Sequence, residues 1–66
     1  MTEDEKRKLL AWMTNTGLRI DNDLQDARND FRQNESTWLA FRLSLAAERK
    51  TFFDVLSAQL YALLNL

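Results

Sequence analysis

The chain has 66 residues, 9 basic against 10 acidic side chains, a net charge of −1, and neither cysteine nor histidine. So short a chain is one domain at most and buries only roughly 60% of its unfolded surface. Without Cys and His there is no disulfide, no thiolate metal site, and neither the commonest zinc ligand nor the commonest general base. Association is the staple left to so small a core.

The absence of cysteine fits a reducing compartment, and we expect a cytoplasmic protein. The opening run Thr2-Glu3-Asp4-Glu5-Lys6-Arg7-Lys8 is charged and leads into only a short apolar patch, unlike a signal peptide. The most apolar stretch, 52–66, carries Asp54, Gln59 and Asn65 and falls short of the ~20 residues of a membrane helix. Charge is spread without a basic half, so it does not by itself imply nucleic acid.

The first arm begins at once. Thr2 is placed to cap a helix and Glu5, three residues on, completes a capping box, with Glu3 and Asp4 set against the positive end of the helix dipole. Proline is absent and Gly17 is the only glycine, while strong helix formers are abundant. From Leu10 a seven-residue repeat runs through Met13, Gly17, Ile20, Leu24, Ala27, Phe31, Asn34, Trp38, Phe41, Leu45, Glu48, Phe52, Val55, Gln59, Ala62 and Leu66. Only Gly17, Asn34, Glu48 and Gln59 break its apolar character. Spacings of three and four sustained this long predict helix and exclude strand.

One helix of this length would approach about 100 Å, so a turn is expected. Arg32-Gln33-Asn34-Glu35-Ser36-Thr37 is the longest fully polar window and lies at the midpoint, with Asn34 or Ser36 available to cap a second helix. We expect an all-α chain: a single domain over 1–66, arm one about 3–33, a turn about 33–37, and arm two about 37–65. The competing reading breaks the chain after Thr14-Asn15-Thr16-Gly17, giving a three-helix bundle of about 3–15, 22–33 and 37–64. In the hairpin, positions 17 and 52 lie opposite, and Phe52 would pack over the glycine.

Arm two is the more apolar. Besides the repeat it carries a second stripe, Leu39, Ala46, Phe53, Leu56, Leu60 and Leu63. A helix with one neighbour needs a single stripe, so one arm cannot cover both. A second copy, closing a four-helix bundle as a homodimer, is the simplest cover; another helical protein would serve as well. The expected interface is Trp38, Phe41, Leu45, Phe52 and Val55 with Leu39, Phe53, Leu56, Leu60 and Leu63.

Other constellations in the sequence each have a plainer reading. Asp21-Asn22-Asp23-Leu24-Gln25-Asp26 resembles the start of a calcium loop, but the template wants Gly sixth and Glu twelfth, where this chain has Asp26 and Arg32. Asp23, Asp26 and Asp30 fall within about 60° on one helix face. They form a possible acidic face, able to hold a cation or mimic phosphates, though a solvated face with an Arg19–Asp23 pair is the plainer reading. Lys6-Arg7-Lys8 is compensated by Glu3–Arg7 and Asp4–Lys8 pairs, and Glu48 has Arg19 or Arg49 as expected partners. Arg19, Arg28, Arg32 and Arg42 would serve a nucleic-acid-binding regulator only if a dimer gathered them into one strip.

No nucleophile–base pair, phosphate-cradling loop or repeated metal-ligand spacing is present. We expect no enzyme, no catalytic or metal-ligating residue, no cofactor and no small-molecule substrate. In general form, two similar arms with a heptad seam, the chain is similar to the small plasmid-encoded RNA-binding hairpins that dimerise into four-helix bundles. Met1-Thr2 followed by Glu5-Lys6 is the local echo. The similarity implies dimerisation, and no functional residue is carried over from it. The function expected from the residues is a small protein-interaction module, an adaptor, regulator or inhibitor that self-associates through its C-terminal arm.

Overall fold

The computed structural model describes residues 1–65, and over them the chain is an antiparallel helical hairpin. Helix α1 spans Glu3–Gln33 and helix α2 spans Thr37–Leu64. Leu66, the last position of the seven-residue repeat, lies outside the described residues. The two helices make a rod 48 × 16 × 12 Å. The long dimension matches a 31-residue helix at about 1.5 Å per residue.

Each end of α1 is closed by the chemistry its sequence supplies. The Thr2 hydroxyl accepts from the Glu5 N–H at 3.2 Å, and the Glu5 carboxylate accepts from the Thr2 N–H at 3.2 Å. Two amides that helix geometry leaves without partners are thereby satisfied. At the other end Asn34 leaves the helix in extended conformation, its N–H still donating to the Asp30 carbonyl at 3.0 Å. Ser36, and not Asn34, caps α2: its hydroxyl accepts from the Leu39 N–H at 3.1 Å. The turn is therefore three residues long.

Helix α1 passes through Gly17 without a break, so the three-helix alternative is not what the chain adopts. Gly17 is useful here for what it lacks. A Cβ at that position would sit 3.1 Å from the Phe53 ring, which lies over the glycine. The heptad register predicts Phe52 in this place, one residue away. That one-residue difference turns α2 by about 100° and changes the seam along its whole length.

The seam is thin. Its buried side chains are Met13, Leu24 and Ala27 from α1 and Ala46 and Phe53 from α2. Ala27 and Ala46, 1% and 2% exposed, let the backbones approach closely at mid-height, and Leu43 packs against the cluster that they form with Leu24. Ion pairs bracket the seam on both flanks. On one, Arg42 binds Asp30 and lies 3.8 Å from Asp23, with Arg49 also 3.8 Å from Asp23. On the other, Lys50 bridges Asp21 at 2.7 Å and Asp54 at 3.2 Å. All are partly exposed, so their role is to fix alignment more than to stabilise.

Candidate interaction surface

In α2 the two apolar stripes part company. Leu39, Phe53, Leu56 and Leu60 are buried or half-buried, whereas Trp38, Phe41, Leu45, Phe52, Val55 and Leu63 are exposed. The continued repeat thus names the outward face of α2, and the second stripe, displaced by about one residue, contributes most of the side facing α1. Glu48 and Gln59 are exposed with the outward face. Helix α2 is apolar nearly all round, with no acidic residue in its first turn and no basic one in its last.

The exposed residues are large. Phe52 is 71% exposed and Trp38 69%. Trp38 and Phe41 shield each other in part, their ring centroids 5.8 Å apart. Trp12 of α1, half exposed, lies 6.2 Å from the ring of Phe53 and flanks the seam there. An isolated apolar side chain on a surface is ordinary, but a contiguous row of aromatic and aliphatic ones marks a binding face.

The magnitude supports that distinction. A compact monomer of 7.8 kDa has an accessible surface of about 4,400 Å²; this chain exposes 5220 Å². The surplus of about 800 Å² comes from the rod shape of the hairpin, and is similar in size to what one partner contributes to a standard protein–protein interface. The radius of gyration, 15.1 Å, likewise exceeds the ~11 Å of a compact chain of this length, as a rod of these dimensions requires.

The acidic residues end up divided. Asp23 and Asp30 are engaged by Arg42 across the hairpin, and Asp26 remains outward without an ion pair among the described residues. Asp23 meets Arg42 and Arg49, not Arg19. No group of three acidic side chains that could hold a metal ion occurs among the described residues. Lys8 pairs with Asp4 at 3.0 Å as expected, while Glu3 meets Lys6 at 3.6 Å and not Arg7. Glu48 joins no ion pair with Arg19 or Arg49 among the described residues. Arg28 and Arg32 share one flank of α1, and Arg19 lies roughly opposite them at about 100° per residue, so one hairpin does not gather them. No helix is long and apolar enough to cross a membrane among the described residues. No family model, curated protein or solved structure matches the chain, and its functional reading rests on its own residues.

Proposed function

We propose that the protein is a small, non-enzymatic interaction module that works by occupancy, as an adaptor, regulator or inhibitor, and that it self-associates through the outward face of α2. The supporting observation is the exposed row Trp38, Phe41, Leu45, Phe52, Val55 and Leu63, with a surface surplus the size of one partner's share of a stable interface. A second copy brings the same face and so covers two surpluses at once. The dispersed arginines and the half-neutralised aspartates supply no comparable feature for nucleic-acid binding or acidic mimicry.

The test is sedimentation equilibrium from micromolar to millimolar chain, for the native protein and for Phe52→Glu. Phe52 is exposed, so its replacement spares the seam within the hairpin. The native chain is expected to approach twice its monomer mass while the variant stays near one. A native chain that remains helical and monomeric at the highest concentration ends the reading.

A further inference from the structure

Resting on the self-association proposed above, we infer that the second copy lies antiparallel, α2 against α2, with the twofold axis at the level of Lys50 and Thr51. One row on α2 holds Trp38, Leu45, Arg49, Phe52 and Leu63, all exposed, and Leu56, half-buried at its edge toward α1. At about 100° per residue these six fall within about 60° of one another, on the flank that carries Arg42 and Arg49. The row is symmetric about its own middle. Trp38 lies as far before the Lys50–Thr51 level as Leu63 lies after it, and the same holds for Leu45 with Leu56 and for Arg49 with Phe52.

A palindromic row is what an antiparallel twofold contact requires, because each residue then meets its mirror position on the copy. Trp38 packs on the partner's Leu63, Leu45 on the partner's Leu56, and Arg49 lies over the ring of the partner's Phe52, a cation–π arrangement. A parallel pair would bring Arg49 against its own copy at one height. Glu48 and Gln59 sit on the outer side of the row and stay at the rim, so neither is buried in the contact.

The first helix agrees with this placement. Lys50 meets Asp21, and Phe53 covers Gly17, so the axis passes α1 near Arg19. Arg19 joins none of the ion pairs among the described residues and shares its flank with Asp23 and Asp26. In the antiparallel pair that flank faces its own copy, and Arg19 comes within about one helical turn of the partner's Asp23. Because the row and the seam with α1 lie roughly a right angle apart, the four helices close into a bundle.

Native cysteine is absent, so Glu35→Cys, an exposed turn position, takes a single spin label without touching either interface. Electron–electron dipolar spectroscopy on the labelled protein should read an intermolecular distance of about 45 Å, each label lying about fifteen residues from the axis at 1.5 Å per residue. A dimeric mass with a distance outside roughly 35–55 Å overturns the antiparallel arrangement and leaves self-association standing. A monomeric mass at every concentration overturns both.

Discussion

At the scale of single residues, the contact between Gly17 and Phe53 determines how the helices meet. Gly→Ala in an exposed helix interior gains about 1 kcal/mol, but here the new methyl meets the Phe53 ring at 3.1 Å. That ring can yield by a few tenths of an ångström toward Trp12, which is only half buried. Gly17→Ala should therefore stabilise, by less than the ~1 kcal/mol of an exposed site. Gly17→Val cannot be accommodated so easily and should destabilise by about 1–3 kcal/mol. Urea denaturation of both variants checks the pair, and a Gly17→Val chain more stable than the native one would show that Phe53 does not lie over the glycine. Arg42 is a second such point, since it holds Asp30 and approaches Asp23. Arg42→Ala should cost about 1 kcal/mol, with the loss shrinking at high salt because the pairs are partly exposed.

At the scale of elements, the helix ends were legible in the sequence and the facing of α2 was not. The Thr2–Glu5 box, the polar window at the turn and the Ser36 cap are local signals, each carried by residues within a few positions. Which side of α2 meets α1 depends on the phase carried across Asn34-Glu35-Ser36, and extended residues do not preserve a helical phase. Helix α1 has one clear stripe, so its buried residues Met13, Leu24 and Ala27 fall on the repeat. Helix α2 has apolar residues on most sides and offers no polar contrast by which to choose. The surplus itself was readable, and the structure assigns its outward part to Trp38, Phe41, Leu45, Phe52, Val55 and Leu63.

The first turn of α1 and the Lys50 ion pairs also predict a response to pH. Hydrogen bonds from the Thr2 backbone N–H and then its hydroxyl hold the Glu5 carboxyl below its ordinary range. A lowered carboxyl contributes stability above its unfolded value and loses it as pH falls through the folded one. Lys50 behaves in the opposite sense. The hydrogen bond to Asp21, then that to Asp54, holds its ammonium above its ordinary range, so its contribution is full below the unfolded lysine value and fades as pH rises through the folded one. Helicity followed by circular dichroism should decline at both extremes. Glu5→Gln should remove part of the acid limb only, and Lys50→Gln part of the alkaline limb only. A swap of those limbs would contradict the assignment.

At the scale of the whole molecule, folding and association are coupled by how little one hairpin buries. Among the described residues five side chains form the core, all of them apolar, so ordering sixty-odd residues draws on few buried contacts against a backbone conformational cost of about 1–2 kcal/mol for each residue. A partner that binds only the folded form adds its binding free energy to stability, and that addition depends on concentration. If a second copy supplies it, each tenfold dilution should lower the apparent stability by about 1.4 kcal/mol per mole of dimer, and the thermal midpoint should fall with it. Phe52→Glu should melt lower than the native chain and at a midpoint independent of concentration, because it removes only the contact between copies. The comparison separates two roles for the outward row. If the native midpoint also ignores dilution while the chain stays helical, one hairpin supports itself. The outward row would then be an exposed face that joins no second copy, and the self-association proposed for it would fall.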